Sequence, residues 1–144
     1  MNIEYTNVLT PEEFNALRAA VGWDTIEDSL AIAGLEHTAF MVCARDGGQA
    51  VGMARVITDC GYVVYISDVV VRPGYQGQGI GREMLKWVMA YIEENIAPGQ
   101  RKSIFLMAAQ GKEAFYEKFG FIRRPTDALG CGMSQRLEKR KEGN

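Results

Sequence analysis

The chain has 144 residues, 47% of them hydrophobic and 24% charged, with a formal net charge of −2 and a pI near 5.5. That is the size and composition of one ordinary domain, 1–144, whose core needs no covalent staples. The charge balance speaks against nucleic acid or an anionic membrane as a partner over a broad face.

The N-terminal stretch lacks the basic start and apolar centre of a signal peptide, and no apolar run reaches membrane-spanning length. Cys43, Cys60 and Cys131 are far apart and odd in number, and His37 is the single histidine. Neither a disulfide framework nor a zinc site can be assembled from them, so no metal is expected. The expectation is a cytoplasmic protein with its cysteines used as small core residues.

A strand is predicted over 3–9. Thr10-Pro11-Glu12-Glu13 then reads as a helix start, with a threonine cap, proline at the first position and a capping-box glutamate. Phe14, Leu17 and Val21 follow at helical spacing and Gly22 ends the run. A second short helix is predicted from Thr25, with Asp28 near its positive end, toward Gly34. Three strands follow between 38 and 71, punctuated by Asp46-Gly47-Gly48 and Asp59-Cys60-Gly61, which tolerate the positive φ of hairpin turns. The third, 62–71, is nearly all apolar, as a central strand covered on both faces would be. After a glycine-rich loop, Leu85, Val88, Ile92 and Ile96 form a helical stripe. A buried strand is then expected over 102–109, a short helix over 111–120, closing strands at 120–124 and 131–137, and a frayed charged tail from about 138 to 144. The order places one βαβ unit inside a mixed sheet, an α/β (α+β) fold with helices on both faces.

The loop is the chemically informative element. Gly74 and Gly79 have the spacing of a Walker loop, but Ile80 stands where its lysine must be. Gly77 and Gly79 begin a dinucleotide fingerprint, but Arg82 stands where the third glycine belongs. What remains is Gln76-x-x-Gly79-x-Gly81 between a strand and a helix, whose amides and Arg82 can wrap a pyrophosphate. A plain connecting turn would need one such residue, and each further glycine costs backbone entropy.

"DVVVRPGYQGQGIGREML" resembles the coenzyme-A-binding signature of the GNAT acetyltransferase superfamily, [QR]-x-x-G-x-[GA], and the similarity runs from about 38 to 121, through "FYEKFGF". The resemblance implies a mixed, splayed sheet, with acetyl-CoA as cosubstrate entering between the strands over 62–71 and 102–109. It implies that the amides of Gln76, Gly77, Gln78, Gly79, Ile80, Gly81 and Arg82 hold the pyrophosphate. Val69, Val70 and Val71 would then pair their backbone with the pantetheine arm like an added strand. It also leaves a homodimer as a family-level expectation.

Acyl transfer to an amine needs a neutral amine, a stabilised oxyanion and a protonated leaving thiolate. Tyr116, in the matching FYEKFG position, is the resemblance's candidate for protonating the thiolate; packing is the competing role for an aromatic at helical spacing. Asp68 interrupts the apolar run "VVYISDVVV" and must therefore have a partner. It is the candidate to bind or deprotonate the amine, with a local structural role as the alternative. Family relatives carry an acidic pair near this position, whereas Ser67 precedes Asp68 here. His37, Arg123, Arg124, Tyr65 and Trp23 are weaker candidates. The expected activity is direct acetyl transfer to a primary amine on a small molecule, amino sugar or lysine side chain. A non-catalytic acyl-CoA-binding module is the alternative.

Overall fold

The computed structural model describes residues 1–141. Two compact units make up the chain, Met1–Leu106 and a second that starts at Met107. The first contains β1 (Ile3–Thr6), α1 (Pro11–Ala20), α2 (Asp28–Glu36), β2 (Phe40–Asp46), β3 (Gln49–Thr58), β4 (Val63–Val71), α3 (Ile80–Glu94) and β5 (Ser103–Leu106). Its strands lie in the order β1-β2-β3-β4-β5, with the first three pairings antiparallel and β4–β5 parallel. This is the mixed sheet expected from the sequence, with α3 as the crossover that a parallel pair requires.

Local chemistry sets the elements. At α1 the Thr10 side chain accepts from the Glu13 amide while Glu13 accepts from the Thr10 amide, a complete capping box with Pro11 behind it. Gly47 and Gly48, at φ +57° and +91°, turn β2 back into β3 as a primed hairpin turn demands. Phe14 and Leu17 of α1 bury with Ala31, Cys43, Met53 and Val70 on one face of the sheet. The opposite face takes α3, which buries Ile80, Met84, Leu85, Val88 and Ile92. Gly52 of β3 lets that helix approach: a Cβ there would stand 3.2 Å from Met84 Cε and 3.1 Å from the Val70 carbonyl. Successive β3 residues thus face opposite helices, as the period of two requires.

Two boundaries in the N-terminal part differ from the sequence expectation. β1 stops at Thr6 because the next residues turn their polar groups to other partners: Asn7 Nδ2 donates to the Met41 carbonyl at 2.8 Å and the Val8 carbonyl accepts from Arg45 at 2.8 Å. α2 begins at Asp28 rather than Thr25, because Glu27 supplies the capping carboxylate to the Ser29 amide at 3.1 Å.

In the second unit α4 spans Glu113–Glu117. The closing strands predicted at 120–124 and 131–137 do not form. Both runs are short, flanked by Pro125 and Gly130, and the second contains Gly132; Ile122, Met133 and Leu137 are left in water, the last two 89% and 87% exposed. Of the predicted tail, 138–141 has no regular structure and is exposed, and 142–144 lies outside the described residues.

Candidate active site

β4 is the axis of the first unit's site. Its register with β3 pairs Ile66 with Val56 and Ser67 with Arg55, then resumes with Val70 opposite Met53. Asp68 and Val69 therefore share a single partner position, at Ala54. This is a bulge, which bends the strand and increases its twist. Asp68 takes φ +55°, the left-handed region that aspartate enters more readily than most side chains. On the other edge, β5 pairs with β4 from Val63–Ser103 only as far as Ile66–Leu106. From Ser67 onward that edge of β4 has no strand partner among the described residues.

The end of β4 is pinned. Arg72 donates from its amide to the Val51 carbonyl at 2.8 Å and from Nε to the Ala50 carbonyl at 2.9 Å, and Gln76 Nε2 donates to the Val71 carbonyl at 2.9 Å. A 3₁₀ turn over Pro73–Tyr75 then leads into the glycines. Gly77 and Gly79 sit at φ +79° and +86°, and an added Cβ would meet nothing within 4 Å at either. Their demand is conformational, since a side chain there would face open space but a disfavoured backbone. Gly79 is the N-cap of α3 and offers no side chain to it. The first intrahelical bond is donated by the Glu83 amide to the Gly79 carbonyl at 3.0 Å. The amides of Ile80, Gly81 and Arg82 precede it and lie at the positive end of a 15-residue helix.

Asp68 has the partners its place in an apolar strand requires, and they are two arginines. Oδ1 accepts from Arg18 Nη1 at 2.7 Å; Oδ2 accepts from Arg55 Nε at 3.0 Å and Ser67 Oγ at 3.1 Å, with Arg55 Nη2 at 2.9 Å. The Asp68 side chain is 8% exposed. Arg18 also donates to the Asp24 carbonyl at 2.7 Å and lies over Trp23, 5.4 Å from the ring centroid. Arg55 Nη1 reaches Thr38 Oγ1 at 2.7 Å and the Gly34 carbonyl at 3.2 Å. Beside them opens a cavity of about 150 Å³, walled by Phe14, Ile26, Leu30, Ala31, Gly34 and Leu35 and closed by Arg18, Arg55 and Asp68.

The candidates thus fall into two groups. Asp68, Val69, Val70, Val71 and the run from Gln76 to Arg82 lie along one continuous path in the first unit. Tyr116 belongs to the second. It is buried within α4, edge-to-face with Phe115 at 5.0 Å and Phe121 at 6.2 Å. Burial pushes its phenol up to about 12. Its hydroxyl makes no hydrogen bond among the described residues, and no buried side-chain nitrogen or oxygen among them is unpartnered. The hydroxyl is therefore the solvent-reaching end of the ring.

Sequence reasoning missed Arg18 and Arg55. Arg55 interrupts the apolar run "VGMARVI" as Asp68 interrupts its own, and Arg18 stands four residues after Phe14 on the inward side of α1. Opposite charges breaking two neighbouring apolar strands was the available signal. The weaker candidates have ordinary roles: His37 caps α2, with Nδ1 2.9 Å from the Ala33 carbonyl, Arg123 pairs with Glu117 at 2.8 Å in solvent, and Arg124 donates to the Gly130 carbonyl.

A family model described as an acetyltransferase (GNAT) domain matches residues 36–123, more than half of the chain. The chain belongs to the GNAT acetyltransferase family and is an enzyme of the acetyltransferase class, which removes the non-catalytic alternative. Among its relatives, the uncharacterized N-acetyltransferase ycf52 of Porphyra purpurea is 30% identical over 122 residues, covering 82% of this chain and 68% of that one. The histone acetyltransferase TAP1 of Glycine max is 29% identical over 131 residues, and the match spans 82% of this chain and 54% of the relative. Among solved structures, SA2161 of Staphylococcus aureus, a probable acetyltransferase, superposes with a TM-score of 0.84 at 31% identity, covering 94% of this chain and 100% of the other. Glucosamine-6-phosphate N-acetyltransferase of Arabidopsis thaliana shares the fold, with a TM-score of 0.70 at 17% identity over 96% and 100% of the two chains.

Proposed function

We propose that the chain moves an acetyl group from acetyl-CoA directly to the nitrogen of a primary amine, on a small molecule, an amino sugar or a lysine side chain. One observation carries this reading: an edge of β4 with no strand partner among the described residues runs, through two positive-φ glycines, into the amides at the start of α3 that make no intrahelical bond. An extended amide-bearing arm suits such an edge, because strand addition recognises backbone rather than side chains. A pyrophosphate suits the amides from Gln76 to Arg82, where the helix dipole and Arg82 add positive potential.

In the transfer, the amine nitrogen bonds to the thioester carbonyl carbon and the carbon–sulfur bond breaks. The nitrogen sheds a proton and the departing sulfur gains one, leaving an amide and free coenzyme A. A phenol raised to about 12 is fully protonated at neutral pH, and Tyr116 is the proposed donor to sulfur. The thiolate is a much weaker base than the phenolate, so the proton passes only as negative charge accumulates on sulfur.

Melting curves with acetyl-CoA, NADH and ATP test the cosubstrate. Acetyl-CoA at a hundred times its dissociation constant should add about 2.7 kcal/mol of stability. Release of free thiol with a panel of amines then identifies the acceptor. A shift with NADH and none with acetyl-CoA would sink the proposal.

A further inference from the structure

We infer that Arg18, Asp68 and Arg55 form an ionic lock on the β4 bulge, and that Asp68 serves the reaction as a positioning residue rather than as the acceptor of the amine's proton. The inference rests on the acetyl-transfer reading, which gives the free edge of β4 its use.

A carboxylate offers about four acceptor positions; at Asp68, Arg55 and Ser67 fill Oδ2, and Arg18 takes one position of Oδ1. A substrate amine would have to share Oδ1 with a guanidinium. The same contacts explain the backbone. A non-glycine residue at φ +55° persists only where its surroundings over-determine it, and here the side chain is gripped from two directions.

Each arm of the grip is itself anchored. Arg18 comes from α1 and is held by the Asp24 carbonyl and the Trp23 ring; Arg55 comes from β3 and is held by Gly34 and Thr38 at the end of α2. The bulge therefore cannot flatten without moving both helices. Because a bulge bends its strand, the lock fixes the point after Ile66 where β4 leaves β5 and its free edge begins. The lock also closes the apolar cavity behind Phe14 and Leu35, so a group entering there touches the residues that shape the edge.

The test uses the full chain with Asp68→Asn, Arg55→Gln and the double variant. Asparagine keeps the shape and the tolerance for positive φ while removing the charge. If the lock positions the edge, each single variant should weaken coenzyme A binding, measured by calorimetry, about tenfold, because charge-assisted hydrogen bonds are lost. The double variant should be no worse than the poorer single. The acidic limb of the pH profile of kcat/KM for the amine should stay where it is in the wild type. Amide exchange at residues 67–70 should quicken in both single variants without ligand.

A proton acceptor at Asp68 gives a different pattern: Asp68→Asn alone erases the acidic limb, coenzyme A binding is untouched, and Arg55→Gln does not reproduce the loss. That pattern overturns the inference, as does unchanged exchange at 67–70. A wild-type protein that neither binds nor turns over acetyl-CoA removes the acetyl-transfer reading instead, and the lock then stands or falls on exchange alone. Should Asp68→Asn not fold, Arg55→Lys, which keeps the charge but not the planar fork, carries the same readouts with a smaller expected loss.

Discussion

Two carboxylate–arginine clusters brace the first unit, and each meets a bulged strand. In one, Arg45 of β2, opposite the extra residue Val51 of β3, grips Glu13 of α1 through Nη1–Oε2 at 2.6 Å and Nη2–Oε1 at 3.0 Å. The same guanidinium reaches the Gly48 and Val8 carbonyls, so it ties a helix cap to a hairpin turn. It pairs one charge with one charge, and Glu13 is 27% exposed. In the other, one carboxylate answers two arginines, and Asp68 is 8% exposed. The Glu13 cluster is balanced and near water; its work ends with the fold. The Asp68 cluster has the less exposed carboxylate, carries a surplus positive charge, and sits where β4 parts from β5. Similar chemistry braces both places, and charge balance and the exposure of the carboxylate distinguish the scaffold cluster from the one at the candidate site.

The sharpest way to break this comparison is to remove each carboxylate. Asp68→Ala should cost about 3–5 kcal/mol in urea unfolding, because it strands two mostly buried guanidiniums. Glu13→Ala should cost only about 1–2 kcal/mol, the worth of a cap and a partly exposed pair. Equal losses would erase the distinction. Tyr116→Phe serves as the contrast outside both clusters. It removes a hydroxyl without a hydrogen bond, so unfolding midpoints should hold while kcat falls roughly 10² to 10⁴-fold. Full activity in that variant would return Tyr116 to packing.

Gly79→Asp tests whether the edge released by the Asp68 cluster leads to an anion site. A charged side chain at φ +86° should abolish the acetyl-CoA shift of about 2.7 kcal/mol while costing the fold only about 1–2 kcal/mol. A normal shift would make the loop a connector. The smallest effect is titrimetric. Arg45's hydrogen bonds hold the Glu13 carboxyl at about 2, below its unfolded range. A depressed carboxyl stabilises the fold above its unfolded pKa and stops doing so as pH falls through its folded one. Between about pH 4.5 and pH 2 the wild type should therefore lose about 1 kcal/mol that Glu13→Gln does not lose, and added salt should narrow the gap.

Much of this was legible in the sequence because it is local. The capping box at Thr10, the glycine turn at 47–48 and the stripe of α3 each declare themselves within a few residues. The polar interruption at Asp68 correctly announced a buried group with partners. The partners were not legible, since Arg18 is 50 residues away and Arg55 is 13 residues away along the chain. Only the pairing of β3 with β4 and the seating of α1 bring them together. The bulge was equally hidden, because nothing in "ISDVVV" says that two residues will share one partner. The closing strands failed for the converse reason: a short segment can have room for a strand in the chain order, but a strand exists only where another strand accepts its hydrogen bonds.

The bare edge of β4 has a consequence for how the protein keeps in solution. From Ser67 to Val70 the amides and carbonyls that face away from β3 have no strand partner among the described residues and form an adhesive strip, and three consecutive valines give it the composition of a self-associating strand. A ligand lying along that strip would also be its cover. Stocks concentrated with coenzyme A should then stay clear longer than stocks concentrated without it, so colloidal shelf life becomes a readout of the edge proposed to hold the cosubstrate.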